Sequence, residues 1–242
     1  MTNFLNKFAA AVIIDCNAPP EALQTLNELN ISTVLSAKID NIITDLSTHP
    51  DMQIFHLHEN IFVCEPSLYE YYSECLSPRG IIVLKGGTSL TSNYPGDIAY
   101  NAARIGDILL HRIDKTDGEI LRRHTGRIVN VKQGYTKCSV CVVNENAVIT
   151  SDRGISIALR GEGVDVLEIP HGEIILGGFE YGFIGGCSGL IAKNKLAFCG
   201  DITKHSAYVE ISKFLKKHKV DIISLCDQKL VDIGSIIPIW EE

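Results

Sequence analysis

The sequence predicts an α/β fold in which one unit, ordered strand, strand, helix and strand, occurs five times and closes into a ring. Three observations support this prediction. The 242-residue chain has 45% hydrophobic and 21% charged residues, which is typical of a globular protein with a sizeable core. The second strands begin near residues 11, 61, 107, 146 and 195, at intervals of 39 to 50 residues. Matching turn and cap residues separate the elements, which makes a loose alternation of strands and helices the weaker interpretation.

The fourth unit has the clearest start and stop signals. Its expected elements are strands at 138–143, 147–150 and 164–169 and a helix at 154–160. Asp152 can cap that helix, because its side-chain oxygen can accept a hydrogen bond from a free backbone N–H. Gly161 and Gly163 are typical of the end of a helix.

The other units repeat this order. Pro19 and Pro20 favour the first turn of a helix in the first unit, and Pro66 does so in the second. Asp201 or Thr203 can cap the helix of the fifth unit. The expected helices are 21–29, 67–76, 116–123 and a last one that ends near 217. The expected strands are 12–15 and 32–35 in the first unit, 61–64 and 81–84 in the second, 98–101, 108–111 and 128–131 in the third, and 188–192, 196–199 and 220–225 in the fifth.

The segment at 232–239 stands outside these units and can supply the strand that the first unit lacks. Pairing the last strand with the first closes the ring and removes unpaired strand edges. We therefore predict one domain, residues 1–242, closed by the strand at 232–239 beside the first unit.

Composition and sequence pattern argue against several classes of partner and cofactor. A net charge of −7 argues against a nucleic-acid partner. No apolar run approaches the ~20 residues that span a bilayer, and the N-terminus lacks the pattern of a secretion signal, so we expect no membrane partner and a cytoplasmic location. Of eight cysteines only Cys138 and Cys141 form a CxxC, and it lies in a predicted strand instead of at a helix start. We therefore expect reduced core cysteines, no metal and no cofactor.

A ring of five such units resembles the pentein fold, a five-bladed α/β-propeller. Its members include arginine deiminases, amidinotransferases, dimethylarginine dimethylaminohydrolases and a ribosome anti-association factor. The segments VKQGYTKCS, GFIGG and DIGSIIP are similar to uncharacterised bacterial proteins of that fold. The resemblance implies that the first strand of each unit lines a central channel. It also implies a catalytic Cys, His and carboxylate, in which the thiolate attacks a guanidinium carbon and the His moves protons to the leaving amine.

Two segments resemble motifs of these enzymes without their catalytic residues. TyrProGlyAspIle at 94–98 is similar to Glu-x-Gly-Asp-Ile, with Asp97 in place and Tyr94 instead of the catalytic Glu. TyrThrLysCysSerVal at 135–140 is similar to His-Leu-Lys-Ser-Gly-Val, with Lys137 in place and Tyr135 instead of the His.

The position of the family's nucleophilic Cys falls at Ser235 or Gly234. Ser235 and Tyr135 are the candidate catalytic residues, although an alkoxide needs a nearby base and a Tyr with a pKa of about 10 is a poor one. A small residue at a tight strand end explains Ser235 more simply. The resemblance therefore implies either a divergent enzyme acting on C–N bonds or a binding protein. The alternative is an interaction module similar to the ribosome anti-association factor.

Strand alternation and an overlay of the units predict which side chains face the channel. Cys138 takes the buried face in this prediction. The side chains expected at the channel mouth are Asp97, Asn101, Tyr135, Lys137, Ser139 and Ser188. Both charge signs there suit a small amino-acid or guanidino-like ligand, whereas a structural Asp97–Lys137 salt bridge is the alternative. A homodimer is left open, as are the roles of His49, His56 and His58 and the reactivity of Cys138, Cys141 and Cys187.

Overall fold

Five three-stranded sheets form the framework of the computed structural model, which describes residues 8–240. The strands are β1 (Ala11–Ile14), β2 (Ser32–Leu35), β3 (Ile54–His58), β4 (Ile61–Cys64), β5 (Ile82–Lys85), β6 (Ala103–Ile105), β7 (Ile108–His111), β8 (Arg127–Asn130), β9 (Val140–Asn144), β10 (Ala147–Thr150), β11 (Asp165–Glu168), β12 (Ser188–Ala192), β13 (Lys195–Phe198), β14 (Asp221–Ser224) and β15 (Ile237–Ile239). The sheets have the orders β15-β1-β2, β3-β4-β5, β6-β7-β8, β9-β10-β11 and β12-β13-β14.

All five sheets share one pattern of strand directions. The central strand is antiparallel to the first strand and parallel to the third. Every residue of the central strands β1, β7 and β10 is buried. A strand covered on both faces needs a continuous apolar run instead of alternation, which explains sequences such as AVII at the start of the first unit.

The helices follow the central strands or precede the first strands. They are α1 (Pro20–Glu28), α2 (Pro50–Gln53), α3 (Tyr69–Leu76), α4 (Gly118–Arg123), α5 (Thr136–Ser139), α6 (Arg153–Gly161) and α7 (Tyr208–Lys217), with 3-10 turns at Thr44–Leu46, Pro66–Leu68, Ser77–Arg79, Ile113–Lys115 and Ile202–Lys204. Within residues 8–240, none of the helices is long and apolar enough to cross a membrane.

The observed helix caps agree with the prediction where the sequence offered one capping residue. Asp152 accepts a hydrogen bond from the Ile155 N–H at 2.9 Å and begins α6, as predicted. Asp201 caps only the 3-10 turn that follows it, so α7 begins later, at Tyr208. The buried faces are apolar: Ile155 and Leu159 of α6 pack into the core, where burial of each side chain stabilises the fold by roughly 1.5–3 kcal/mol.

Two predicted first strands differ from the structure: the strand predicted at 138–143 starts too early, and the strand predicted at 98–101 lies at Ala103–Ile105 instead. Residues 136–139 form the helical turn α5, in which the Ser139 N–H binds the Tyr135 carbonyl at 3.0 Å, so the strand starts only at Val140. Residues 98–101 form a turn closed by the Asn101 N–H and the Ile98 carbonyl at 2.9 Å. The Thr136 hydroxyl and the Lys137 N–H bind Asn101 of the third unit, so contacts distant in sequence hold the turn at 136–139. The alternation used to assign the faces of residues 135–139 therefore does not apply.

The C-terminal strand pairs with the first sheet. β15 is shorter than the predicted 232–239, and it runs antiparallel to β1 with Ile237 opposite Ile13 and Ile239 opposite Ala11. Residues 232–236 form no strand and lead into β15. The last strand of the described chain thus completes the sheet that contains the first.

Candidate active site

A segment that is not a strand runs into the first strand of every sheet, and these five segments meet. The residues at their meeting point are Asp51, Asn101, Cys138, Gly186 and Ser235, one from each unit. Neighbouring segments are joined by hydrogen bonds from Asp51 N–H to Gly234 O (3.1 Å), Ser235 N–H to Gly186 O (2.7 Å), Gly186 N–H to Cys138 O (2.9 Å), Lys137 N–H to Asn101 O (3.1 Å) and Asn101 Nδ2 to Met52 Sδ (3.3 Å). Residues up to 184 positions apart in sequence are thereby in direct contact.

The thiol of Cys138 lies between an amide and a carboxylate. Its Sγ accepts a hydrogen bond from Asn101 Nδ2 at 3.1 Å and donates one to Asp51 Oδ2 at 3.1 Å. Burial raises the pKa of this thiol well above its usual value, and the negative charges of Asp51 and Asp232 raise it further. The resting group is therefore a protonated thiol whose hydrogen bond goes to the Asp51 side chain.

Asp51 is 1% exposed, and within the described chain only one of its two carboxylate oxygens has hydrogen-bond partners. Its Oδ2 also accepts a hydrogen bond from Ser235 Oγ at 2.7 Å. Its Oδ1 has no hydrogen-bond partner among residues 8–240. The backbone of Ser235 has a φ of 73°, in the left-handed region that residues other than Gly rarely adopt. Such local strain is typical of functional sites.

Asp232 supplies a second buried carboxylate. Its Oδ2 accepts the Phe183 N–H at 2.9 Å, and its Oδ1 accepts the Gly234 N–H at 3.0 Å. Burial raises its pKa to about 6; the charge of His49 opposes this rise and that of Asp51 adds to it. Gly186 leaves no room beside it, because a Cβ there would overlap the Asp232 carboxylate.

His49 lies between two acids and is 3% exposed. Its Nε2 is 3.8 Å from Asp15 Oδ2, and its Nδ1 is 3.8 Å from Asp232 Oδ1. The Nδ1 atom makes no hydrogen bond to any residue in the described range. The ring therefore has one nitrogen free for a ligand or a water molecule.

A cavity of about 280 Å³ opens onto these groups. It is lined by Leu46, His49, Met52, Tyr135, Cys138, Leu176, Phe179, Glu180, Tyr181, Phe183 and Asp232. The walls are mainly apolar and aromatic, and the polar atoms that converge on the cavity include the Cys138 thiol, the imidazole and the Asp232 carboxylate. A thiol, an imidazole and a buried carboxylate thus share one mainly apolar pocket, and the Asp51 carboxylate is hydrogen-bonded to that thiol. This arrangement is expected of a small-molecule site.

Comparison with known proteins gives the family. Residues 13–237 match the model of a Family of unknown function (DUF6873). The chain belongs to this family. No curated protein matches the sequence.

Solved structures show which fold the family has. The chain is similar to a dimethylarginine dimethylaminohydrolase from Pseudomonas aeruginosa complexed with citrulline (10% identity, 90% of this chain and 92% of that one, TM-score 0.55). It is also similar to an amidinotransferase of saxitoxin biosynthesis from Microseira wollei (10%, 92% and 91%, 0.52) and to the agmatine deiminase of C. jejuni (11%, 92% and 88%, 0.54). Identities this low show the fold alone. The predicted membership of the pentein fold is confirmed.

Several residues singled out from the sequence lie in or next to the site. Tyr135 lines the cavity and donates a hydrogen bond from its hydroxyl to Asp97 Oδ2 at 2.6 Å. Burial and this bond raise the pKa of Tyr135, so it is a neutral donor and cannot serve as a base. Asp97 is 1% exposed, and burial raises its pKa. Asn101 binds the Cys138 thiol, and Ser235 binds Asp51.

The remaining predicted residues are not among those that line the cavity. Lys137 is half-buried and contributes its backbone N–H to Asn101 Oδ1 at 2.9 Å. Within the described residues no ion pair joins Lys137 to Asp97. The buried hydroxyl of Ser139 has no hydrogen-bond partner in that range, and the Ser188 hydroxyl binds the Gly185 carbonyl at 3.4 Å.

Sequence reasoning missed most of the buried polar groups of the site, His49, Asp51, Cys138 and Asp232, which we call the polar floor. The role of His49 was left open, Asp51 and Asp232 were not assigned to the site, and Cys138 was assigned to the buried face because its segment was taken for a strand. One signal was available: HisProAsp at 49–51 starts with a residue before Pro and continues with an acid, which favours a helical turn over a strand. The segment at 136–139 has no comparable marker.

Proposed function

We propose that the five sheets form a closed, five-bladed α/β-propeller of one domain, with the cavity as its active site. The pairing of β15 with β1 supports closure, because it places the C-terminal strand in the first sheet. The hydrogen bonds around Cys138 support it as well, since together they link each unit to the next. In this arrangement the segments before the first strands surround the axis.

The ligand we propose is a small organic cation of the guanidine or amidine class. One observation carries this proposal: Asp15, Asp51 and Asp232 are buried, and Asp15 and Asp232 share one ion-pair partner, His49. An uncompensated buried charge costs several kcal/mol. A bound cation would compensate it and would offer N–H donors to the free Asp51 Oδ1.

The rest of the cavity fits the same ligand. The rings of Tyr135, Tyr181 and Phe183 line it, and cations are attracted to the faces of aromatic rings. Its 280 Å³ is below the ~300–1,000 Å³ of pockets for drug-sized molecules, which indicates a small ligand. The dimethylarginine dimethylaminohydrolase, amidinotransferase and agmatine deiminase of the same fold agree with this ligand class.

Cys138, and not Ser235, is the nucleophile in this proposal. A bound cation favours the thiolate, because an opposite charge nearby lowers the pKa of an acid. The thiol proton moves to Asp51, and sulfur bonds to the central carbon of the guanidinium. The C–N bond then breaks, and the leaving amine takes a proton from His49.

Water completes the reaction. His49 takes a proton from the attacking water, oxygen bonds to the same carbon, and the C–S bond breaks as Asp51 returns the proton to Cys138. The leaving amine then takes up the O–H proton that the urea-type product releases as its C=O bond forms. One guanidinium and one water thus give a urea-type product and a protonated amine. A reducing compartment such as the cytoplasm would keep Cys138 as a free thiol.

Binding is tested with butylguanidine as the probe. We expect thermal stabilisation of the protein, equivalent to about 2.7 kcal/mol at 100 times the dissociation constant. Asp232→Asn should weaken binding, whereas the exposed Asp227→Asn should not. Absence of any shift with guanidines and amidines would contradict the ligand class and favour the interaction module instead.

Catalysis is tested separately by following amine and urea-type product. Cys138→Ser should abolish product formation and the covalent adduct seen by mass spectrometry, while the exposed Cys16→Ser should retain both. Equal turnover in Cys138→Ser and wild type would remove Cys138 as nucleophile, whereas no turnover by the wild type would leave a binding protein.

A further inference from the structure

The mouth of the cavity carries its own negative charge. Glu180 is exposed and lines the cavity between Phe179 and Tyr181. Asp45 is exposed as well, and its carboxylate lies against Gly178, where a Cβ would overlap Asp45 Oδ2. The acids of the floor, Asp51 and Asp232, lie at the buried end. Both ends of one small cavity are therefore acidic.

Among the described residues that line the cavity there is neither Lys nor Arg to balance the mouth. The one histidine in that lining, His49, is buried. A carboxylate on a ligand is best held by the paired N–H groups of an Arg. An α-amino acid with its cationic group at the floor would place a carboxylate beside Glu180, where like charges repel. The site thus disfavours the amino-acid ligands that the sequence suggested.

Part of the cavity lining is apolar. Met52, Leu176 and Phe183 belong to it, and none of their side chains carries a hydrogen-bonding N–H or O–H group. Such a wall suits a chain of methylene groups, which gains about 0.8 kcal/mol for each CH₂ removed from water. A polar spacer would lose its hydrogen bonds to water without replacement.

We infer that the ligand is a linear dication, with a guanidinium or amidinium group at the floor, a methylene spacer, and an ammonium group at Glu180. The inference rests on the proposed function, because it assumes a cation at the floor. It adds that Glu180 determines specificity by preferring an amine end to an α-amino-carboxylate end. Asp45 adds to the negative potential at the same mouth.

Three probes that share a guanidinium head separate the two proposals by calorimetry. 4-Guanidinobutylamine carries the second cation, butylguanidine lacks it, and arginine adds a carboxylate. For the wild-type protein we expect the dication to bind about fivefold more tightly than butylguanidine, since an exposed charge pair contributes up to about 1 kcal/mol. Arginine should bind more weakly than either. The dication's advantage should shrink with added salt, because the mouth is open to solvent.

Variants identify the residue responsible. Glu180→Gln should reduce the dication-to-monocation affinity ratio to less than about twofold. Glu210→Gln on α7, an equally exposed glutamate away from the cavity lining, should keep the wild-type ratio. Butylguanidine binding as tightly as the dication, or arginine binding most tightly, would overturn this inference and leave the guanidine site intact. Failure of all three probes to bind would overturn both proposals.

Discussion

Replacing Asp232 by Asn should remove a pH-dependent loss of stability from the ligand-free protein. The carboxyl group is buried and faces His49 and Asp51. Burial, partly opposed by His49 and reinforced by Asp51, raises its pKa from 3.8 to about 6. The folded protein therefore holds this proton more tightly than the unfolded chain does.

The direction and size of the change in stability follow from the pKa values of Asp232 in the unfolded and folded protein. For a group whose pKa is raised by folding, the stabilising contribution is fully present below pH about 4 and is lost as the pH rises through about 6. The difference is about 2 pKa units, and each unit corresponds to 1.36 kcal/mol. The free energy of unfolding should therefore fall by about 3 kcal/mol across this range because of Asp232 alone.

Urea unfolding at a series of pH values from about 4 to about 7.5 measures this change in the free energy of unfolding. Other carboxylates, such as Asp165 beside Lys217, have lowered pKa values and act in the opposite direction, so only differences between variants are informative. The stability difference between wild type and Asp232→Asn should change by about 3 kcal/mol over the range. The exposed Asp227→Asn should stay parallel to wild type. Parallel curves for Asp232→Asn would refute the reasoning about its burial.

Two further predictions concern packing and thiol reactivity. Gly186→Ala should weaken butylguanidine binding at least about tenfold, because the new Cβ displaces the Asp232 carboxylate, whereas Gly161→Ala has open space and should bind normally; calorimetry decides between them. Cys226 should react with iodoacetamide at neutral pH faster than Cys16, although Cys16 is more exposed. The reason is that a hydrogen bond from a neighbouring thiol lowers the pKa of Cys226 to about 7, whereas burial raises the pKa of Cys16. Peptide mass spectrometry of partly labelled protein would contradict this if Cys16 were modified first.

Local signals predicted most of the framework. The central strands are continuous apolar runs, and Asp152, Pro20 and Pro66 mark helix or turn starts that the structure reproduces. These features depend on neighbours within a few positions, which is why one sequence reveals them. The pentein fold followed from the order of these elements, and similar solved structures confirm it.

The candidate site was predicted only in part. Strand alternation placed Asn101 and Tyr135 at the channel, and the family resemblance pointed to Ser235. In the structure Asn101 binds Cys138, Ser235 binds Asp51 and Tyr135 lines the cavity. Alternation was extended through residues 136–139, where the chain forms a helical turn that puts Cys138 at the cavity. A four-residue turn has too few positions to show a helical period.

The sequence by itself determined the repeated unit, since apolar runs, caps and turn residues act over short distances. Only the tertiary structure decided that Asp51, Cys138 and Asp232 share one floor, because they come from three different units. The acidic floor exists only when the segments converge, because each acid alone is an ordinary residue of its own segment. Together and buried, these acids form the site at which we propose that a cation binds.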